Sequence, residues 1–208
     1  MRNWSENQIT FVLIRHGATK SNREQRYLGK TEESLSEDGV KDLLEYKNKN
    51  RYLNVEYVFT SPMKRCVETA EILYPNVKNI VIPEWEEMDF GAFEGKNYME
   101  LKDDRRYQLW IDSNGTLPFP EGESREEFIL RCERGFYKMI KELCQLIEKD
   151  GSQPKTIGMI VHGGTIMALL SQYYGGEYFD YQVSNGGGYV CTLKKWSGKP
   201  EMTELKKI

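Results

Sequence analysis

The stretch ITFVLIRHG, residues 9–17, decides the fold, because a continuous apolar run ends abruptly in an arginine, a histidine and a glycine. A second stretch with the same plan, TIGMIVHGG, occupies residues 156–164. Continuous apolar runs of this length are typical of strands that are covered on both faces of a sheet. Both stretches therefore predict buried parallel strands, each followed by a polar loop.

The rest of the chain alternates short apolar runs with amphipathic stretches. Further strands are predicted at 55–60, 79–82, 181–184 and 189–193, and helices at 36–49, after Pro62, at 97–111, at 124–148 and through about 173. This alternation predicts an α/β fold, a three-layer sandwich with a mostly parallel central sheet and helices on both faces. The last two strands are expected to be antiparallel to each other.

The 208 residues are expected to form a single domain, since ~100–200 residues per domain is usual. Within it, the segment from about 84 to 123 is acidic, aromatic and interrupted by glycine and proline. We expect this segment to be a small cap inserted over the sheet. Its aromatic residues Tyr107, Trp110 and Phe119 either line the mouth of a substrate site or only pack the cap.

Composition excludes several classes of protein. Aromatic residues make up 12% of the chain, more than a disordered chain would have, and the net charge of -3 predicts no basic surface for nucleic acid. No apolar run reaches the ~18 residues of a membrane-spanning helix, and the start MRNWSENQ lacks the apolar core of a signal peptide. The four cysteines are scattered without a C-x-x-C pair, so we expect reduced thiols in a cytoplasmic protein.

The chain contains only two histidines, His16 and His162, and each follows a predicted strand and precedes a glycine. Ligands of open parallel sheets bind at the carboxyl ends of the strands. Glycine lets backbone N–H groups approach a ligand closely, and the N-terminus of a helix favours an anion. The two histidines are therefore expected to share one anion-binding site.

Arg15, directly before His16, indicates which anion this would be. A guanidinium matches the oxygens of phosphate or carboxylate with paired hydrogen bonds. A neutral imidazole can attack phosphorus, and neighbouring cations keep it neutral by lowering its pKa. The pair thus predicts a histidine that accepts a phosphoryl group.

Four motifs then resemble the signatures of the histidine phosphatase superfamily, in its phosphoglycerate-mutase-like branch. They occur in family order across residues 9 to about 193, as RHGATKSN at 15–22, SPMKRCVETA at 61–70, EEMDFGAFEG at 86–95 and VHGGT at 161–165. The resemblance implies a phosphoglycerate-mutase-like fold, a phosphohistidine intermediate, and chemistry that needs neither a metal nor a cofactor.

The resemblance also implies a role for each matching residue. His16 would be the nucleophile, and His162 would donate a hydrogen bond to the phosphoryl oxygens. The positions implied to bind phosphate are Arg15, Asn22, Gly29, Arg65 and Gly163.

The acid that protonates the leaving group is selected by the resemblance as Glu87. Glu94 lies in the same motif, and Asp89 is the alternative if the loop turns differently. Burial among the aromatic residues of this loop would raise the pKa of a carboxyl toward neutrality, as general acid–base catalysis requires.

These observations lead to three hypotheses about function. The first is a metal-independent phosphomonoesterase that hydrolyses a small phosphorylated metabolite, since FPEGES at 119–124 resembles family members such as α-ribazole phosphatases. The second is a phosphoglycerate mutase, and the third is a catalytically idle domain that binds a phosphorylated ligand or a partner protein. No nucleic acid or membrane is expected as a partner, and the oligomeric state is open, with a homodimer as one alternative.

Three further segments have alternative interpretations. Mutases of the family grip the substrate carboxylate with an arginine pair, but we interpret Arg105 and Arg106 as a surface pair because the surrounding segment does not match. The glycine-rich stretch 185–188 is predicted to be a hairpin loop between two strands. The lysine-rich C-terminus is predicted to be a solvated end.

Overall fold

The computed structural model describes residues 8–195 and 199–208. The first seven residues, which belong to the stretch considered for a signal peptide, lie outside the described part. The strands are β1 (Ile9–Arg15), β2 (Tyr57–Thr60), β3 (Asn79–Val81), β4 (Thr156–Val161), β5 (Gly188–Lys195) and β6 (Glu201–Lys207). The helices are α1 (Lys20–Arg23), α2 (Glu37–Asn48), α3 (Lys64–Leu73), α4 (Tyr98–Leu101), α5 (Arg105–Asp112), α6 (Arg125–Asp150) and α7 (Gly163–Tyr173), with short 3-10 helices at Pro83–Trp85, Gly91–Phe93 and Tyr178–Tyr181.

The six strands form one sheet in the order β3-β2-β4-β1-β5-β6. The first four strands in this order are parallel, whereas β5 runs antiparallel to both β1 and β6. In the register of the central pair, Arg15 lies opposite Val161, so the loops after β1 and β4 leave the sheet side by side. The predicted α/β fold with a mostly parallel sheet is confirmed.

Strand β1 shows why both faces of the sheet need helices. Its side chains alternate, so that Phe11 and Leu13 enter one core cluster and Val12 and Ile14 enter the other. The first cluster contains the apolar side of α6 and α7, and the second contains that of α2 and α3. Each face of a strand buried in this way must be covered, which gives the three layers.

Two predicted elements near the C-terminus are wrong. Residues 181–184 form no strand, because Val183 O accepts a hydrogen bond from Arg15 Nη1 at 2.8 Å and Gly186 N–H donates to Arg15 O at 3.0 Å. The backbone there forms hydrogen bonds with Arg15 at the end of β1. A strand was predicted because Tyr181 and Val183 are apolar at alternate positions, and both are buried as strand residues would be. Since no strand precedes it, the stretch 185–188 is not a hairpin loop.

The basic C-terminus was predicted to be a solvated end, but it forms the edge strand β6. Exposed lysines on an edge strand discourage pairing with a strand of another molecule.

The helix predicted over 97–111 is wrong as a single element. It is split into α4 and α5, because Asp104 accepts the N–H of Arg106 at 2.8 Å and so caps the N-terminus of the second helix.

In the described part of the chain, no helix is long and apolar enough to cross a membrane. All four cysteines are free thiols.

The start of α2 supports the loop that follows β1. The N–H and the hydroxyl of Ser36 both donate to the carbonyl of Ala18, at 2.9 and 3.0 Å. One helical turn later, a Cβ atom on Gly39 would lie only 2.0 Å from the same Ala18 oxygen. Glycine at this position lets the helix approach the loop closely, and that approach fixes the loop two residues from His16.

Replacing Gly39 by alanine is therefore expected to destabilise the protein, although alanine is the better helix former. The added methyl group must push α2 away from the Ala18 carbonyl, at a cost of about 1–3 kcal/mol in the free energy of unfolding. Urea unfolding measures this change, with the exposed Lys41→Ala on the same helix as the matched control. A Gly39→Ala variant as stable as Lys41→Ala would contradict the close contact.

Candidate active site

Three neighbouring strands deliver polar side chains to one edge of the sheet. The backbone N–H of His16, after β1, donates to Val161 O at 3.0 Å, and the N–H of Ser61, after β2, donates to Ile160 O at 3.1 Å. These bonds extend the strand pairing by one residue and place both loops beside His162, which follows β4. The rings of His16 and His162 lie with their centroids 5.1 Å apart. The structure thus brings the two histidines together.

His16 is buried as a neutral imidazole with a defined tautomer. Its Nδ1 lies 2.8 Å from the carbonyl oxygen of Gly17, so Nδ1 carries the proton and Nε2 keeps its lone pair. Burial, followed by the charges of Arg65 and Arg15, holds the pKa of His16 well below its usual value. Helix α3 holds the loop after β1, because Gly17 N–H donates to the hydroxyl of Thr69 at 3.0 Å.

Two guanidinium groups lie close to the histidine pair. Arg65 is completely buried, and its Nη1 and Nη2 donate to Thr31 O at 3.0 Å and Gly29 O at 2.8 Å. Arg15 donates from Nη1 to Val183 O at 2.8 Å. The Nε–H groups of both arginines are buried and meet no acceptor among the described residues. Buried donors nearly always have partners, so an anion between these groups would complete the site.

His162 is oriented by Ser61. The Ser61 hydroxyl accepts the N–H of Met63 at 3.3 Å and forms a hydrogen bond of 2.7 Å with His162 Nε2. Nδ1 of His162 lies 3.8 Å from Oε2 of Glu87. Burial and the nearby Arg65 charge lower the pKa of His162 well below its usual value. The ring is thus a neutral hydrogen-bond donor.

Glu87 and Asp89, the two alternatives for the acid, lie in opposite environments. Glu87 is buried, and burial raises its pKa although the Met88 N–H at 2.9 Å and three nearby arginines lower it. Asp89 pairs with Lys30 at 2.8 Å and accepts the N–H of Gly91 at 2.9 Å, and both contacts lower its pKa. Of the two carboxyls, only that of Glu87 therefore has a raised pKa, the direction that a general acid needs.

Glu94 and Gly29 support the site through the backbone. The Glu94 carboxylate accepts the N–H groups of Gly29 at 2.8 Å and Thr31 at 3.0 Å. The carbonyls of the same two residues accept the hydrogen bonds of Arg65. Glu94 therefore fixes the strip of backbone that holds Arg65, and Gly29 acts through that arginine.

Helix α7 begins with two glycines at the edge of the site. The backbone of Gly163 lies against the Arg15 side chain, at the N-terminus of an 11-residue helix, where the helix dipole favours an anion. A Cβ atom on Gly164 would lie 2.8 Å from Oε1 of Glu87 and 3.0 Å from the ring of Phe128. The second glycine therefore leaves space for the Glu87 carboxyl. Sequence analysis missed this role, for which the Gly-Gly doublet was the available signal.

Asn22 presents its amide from the first turn after His16. Its Oδ1 accepts the N–H of Thr19 at 3.2 Å and Nδ2 of Asn185 at 3.0 Å, so the Nδ2 group of Asn22 is the end that can donate to an anion. Asn185 also donates to His16 O at 3.1 Å. The loop predicted to be a hairpin therefore fixes both Asn22 and the His16 backbone, which the sequence did not reveal.

Arg131, on α6, holds the loop that carries Glu87 and was also missed. Its guanidinium donates to the carbonyls of Glu84 at 2.9 Å, Glu86 at 2.8 Å and Glu87 at 3.2 Å. The same guanidinium forms a bidentate ion pair with Glu123, at 2.9 and 2.7 Å. One side chain thus satisfies three backbone carbonyls within residues 84–87 and holds the backbone that carries the Glu87 carboxyl.

The assembled groups define a chemistry. A neutral imidazole with a free lone pair lies beside two guanidiniums, a donor imidazole and a carboxyl whose pKa is raised. In residues 8–195 and 199–208, no three His, Cys, Asp or Glu side chains gather as metal ligands. The arrangement is suited to transfer a tetrahedral anionic group, with charge stabilisation by fixed donors.

Comparison with known proteins agrees with this geometry. The family model described as "Histidine phosphatase superfamily (branch 1)" matches residues 11–205. The chain belongs to this superfamily. The enzymes of this superfamily are phosphatases or mutases, and membership places the protein among them.

Relatives of both kinds are similar to the chain. The phosphatase PhoE of Bacillus subtilis is 29% identical over 167 residues, covering 79% of this chain and 77% of the relative. A 2,3-bisphosphoglycerate-dependent phosphoglycerate mutase of Bifidobacterium longum is 26% identical over 188 residues, covering 76% and 74%. The α-ribazole phosphatase from Shigella flexneri shares the fold with a TM-score of 0.71 at 21% identity, covering 93% of this chain and 94% of that one.

The buried neutral histidines predict how stability depends on pH. In the unfolded chain they titrate near ~6.5, whereas in the folded protein their pKa values lie well below this. Below pH ~6.5 the unfolded state therefore binds protons that the folded state does not, and stability is lost as the pH falls. Between pH ~7.5 and ~5.5, each histidine contributes a loss of about 1 kcal/mol in the free energy of unfolding.

The variants His16→Asn and His162→Asn should each lose about 1 kcal/mol less than the wild type over this range. Glu87 contributes with the opposite sign, because its raised pKa favours the folded state on acidification, but it is present in every variant compared. Denaturant unfolding at the two pH values measures the difference, with the exposed Met99→Ala as control. Equal pH dependence in wild type and both histidine variants would mean that the rings titrate freely.

Proposed function

We propose that the protein is a phosphomonoesterase that hydrolyses a small phosphorylated metabolite through a phosphohistidine at His16. The observation that carries the proposal is the neutral His16 ring, with Nε2 unprotonated, beside the unsatisfied Nε–H groups of Arg15 and Arg65. The family to which the chain belongs supports it.

In the first step, His16 Nε2 attacks phosphorus in line with the leaving oxygen. The P–N bond forms as the P–O bond to the alcohol breaks, and protonated Glu87 gives its proton to the departing oxygen. The Gly17 carbonyl stabilises the positive charge that develops on the His16 ring, because it accepts the Nδ1–H at 2.8 Å.

In the second step, the carboxylate of Glu87 takes a proton from water, and the resulting hydroxide attacks phosphorus. The P–N bond breaks, its electron pair returns to Nε2, and inorganic phosphate leaves with Glu87 protonated again. Burial, which raises the pKa of Glu87, is what allows one carboxyl to serve as acid and then as base.

Arg15 and Arg65 supply fixed positive charge to the transferring group, and the N–H of the neutral His162 ring adds a donor. Preorganised charge of this kind is usually the largest catalytic contribution in phosphoryl transfer. Since these residues take the place that Mg²⁺ has in other phosphoryl-transfer enzymes, we expect full activity in the presence of EDTA.

One observation favours hydrolysis over the mutase reaction. Arg105 and Arg106 are exposed, and Arg106 pairs with Asp104 at 2.9 Å and with Glu121 at 3.6 Å. Neither arginine lines the cavity next to the histidines, so neither is placed to hold a substrate carboxylate. With 3-phosphoglycerate, we therefore expect free phosphate rather than 2-phosphoglycerate. An idle domain is disfavoured because every residue that the mechanism needs is present.

The nucleophile can be tested directly. His16→Ala should lower the rate of phosphate release by at least ~10³-fold, because the covalent route disappears. Rapid quench of the wild type with a turning-over monoester, followed by peptide mapping, should find the acid-labile phosphate on residue 16 and not on 162. Lys64→Ala, an exposed neighbour of Arg65, is the control and should retain activity. Phosphohistidine at 162, or an active His16→Ala, would overturn the mechanism.

The acid can be tested with a matched pair of variants. Glu87→Gln removes the only titrating group of the loop that is buried beside His162, so kcat/KM for an alkyl phosphate should fall about 10²–10⁴-fold. The loss should be smaller for 4-nitrophenyl phosphate, whose leaving group needs no proton. Asp89→Asn should stay within a few-fold of the wild type for both substrates. The reverse ranking of the two variants would assign the acid to Asp89.

A further inference from the structure

A cavity of about 320 Å³ opens beside the histidine pair and is built for more than phosphate. At one end it is lined by Arg15, Glu87 and Gly163, which belong to the phosphoryl site. The rest of its lining is dominated by six aromatic side chains, namely Tyr27, Phe90, Trp110, Phe119, Tyr178 and Phe179. The volume falls in the range of small-molecule sites. The leaving group of a bound monoester would occupy this aromatic part.

The aromatic rings from the segment 84–123 are fixed by mutual packing. The ring centroids of Trp110 and Phe119 are 4.7 Å apart, and those of Phe90 and Phe119 are 5.0 Å apart with the planes at 76°. Tyr27 joins the same group, 5.2 Å from Phe90. Rings that pack against one another in this way form a rigid surface, so a flat ligand would meet it without rearrangement.

One polar group in this lining has no partner. The indole N–H of Trp110 is buried and meets no acceptor among the described residues. Buried donors are nearly always satisfied in folded proteins, so this N–H group is an exception within the lining. A ligand that brings an acceptor to this position would satisfy it.

The charge of the lining limits the class of ligand. Among the residues described for this cavity, Arg125 is the only charged residue apart from the phosphoryl-site pair Arg15 and Glu87. Its guanidinium carbon lies 5.9 Å from the ring centroids of both Tyr178 and Phe179. The arginine therefore belongs to the aromatic lining. The hydroxyls of Tyr27 and Tyr178 already have partners in Tyr107 and Gly164, so Gln182 and the Trp110 indole are the other polar side chains of this part that a polyol phosphate would meet.

We infer that this cavity selects a leaving group with a planar aromatic or heteroaromatic ring attached close to the phosphate. The inference rests on the proposed phosphomonoesterase activity and names its substrate class. Stacking against the fixed rings would raise kcat/KM for such a monoester over a saturated or polyhydroxylated one. Differences of this kind in an apolar pocket give selectivity of about 10-fold or more.

The experiment compares benzyl phosphate, cyclohexylmethyl phosphate and glycerol 1-phosphate as substrates of the intact protein. All three leave as primary alcohols, so leaving-group chemistry differs little and the ring is the main variable. We expect kcat/KM for benzyl phosphate to exceed that for cyclohexylmethyl phosphate by about 5–10-fold and that for glycerol 1-phosphate by more than about 10-fold.

Variants on α5 test whether the cavity is responsible. Trp110→Ala should reduce the benzyl-to-cyclohexylmethyl ratio to about 1–2, whereas Trp110→Phe, which retains a ring, should keep most of it. Leu109→Ala removes an exposed neighbour on the same helix and should leave the ratio unchanged. Thermal unfolding of each variant shows whether it folds. Should Trp110→Ala fail to fold, Phe179→Ala, at an exposed position of the lining, replaces it.

The outcomes separate this inference from the proposed function. Phosphate release from all three esters with equal kcat/KM, or equal preference for the two rings, overturns the aromatic selectivity and leaves the phosphatase intact. Release from none overturns the proposed function. In that case, calorimetry with benzylphosphonate and methylphosphonate decides the inference, since the aromatic cavity requires the benzyl compound to bind about 10-fold more tightly.

Discussion

The site depends on one electrostatic constraint, namely that two guanidiniums and two imidazoles share a buried space. Arg65 and His162 are fully buried and His16 is 2% exposed, so water cannot screen the charges. Burial disfavours a charge on either ring, and protonation would also add a third charge beside the two guanidiniums, so the pKa values of both rings are lowered. The free lone pair of His16, the proposed nucleophile, thus results from burial together with the surrounding cations. A tetrahedral dianion would relieve the same repulsion, so anion affinity and nucleophile activation have one cause.

Holding charges in this way requires a rigid support, and the support comes from the backbone. Strand pairing fixes the two histidines, while the Gly29 and Thr31 carbonyls orient Arg65. The Glu87 loop has no regular structure, and the Arg131 guanidinium replaces the missing backbone partners by donating to three of its carbonyls. Regular elements therefore carry most of the groups proposed to bind phosphate, and a side-chain network holds Glu87, the proposed acid. A network of this kind couples the position of Glu87 to α6.

The predictable parts of the structure were those fixed by local pattern. The apolar runs 9–14 and 156–161 predicted strands that the structure contains, and the helix predicted over 124–148 corresponds to α6, which begins at a capping box of Ser124 and Glu127. The stretch 181–184 was misread, because its alternation results from burying Tyr181 and Val183 while the Val183 carbonyl accepts a hydrogen bond from Arg15. The role of Arg131 carried no signal, since the backbone carbonyls that it binds lie some 45 residues away, and such contacts exist only after folding. Local sequence thus predicts which side chains lie at the ends of the strands. Long-range contacts determine how those side chains are held in position.

The two ends of the cavity are built by different parts of the fold. The phosphoryl end is built on the sheet edge and must match one fixed tetrahedral group. The other end is lined by the segment 84–123, by Tyr27, by Arg125 and Met167 on α6 and α7, and by residues after α7, none of which belongs to the sheet. Because the sheet holds the histidine pair, we expect changes at this outer end to alter which leaving group binds and to leave the histidine pair in place. In this chain the pair Arg105 and Arg106 lies outside the cavity, and the outer end presents aromatic rings and the guanidinium of Arg125. Under the proposed mechanism, the alcohol would leave from this largely aromatic surface.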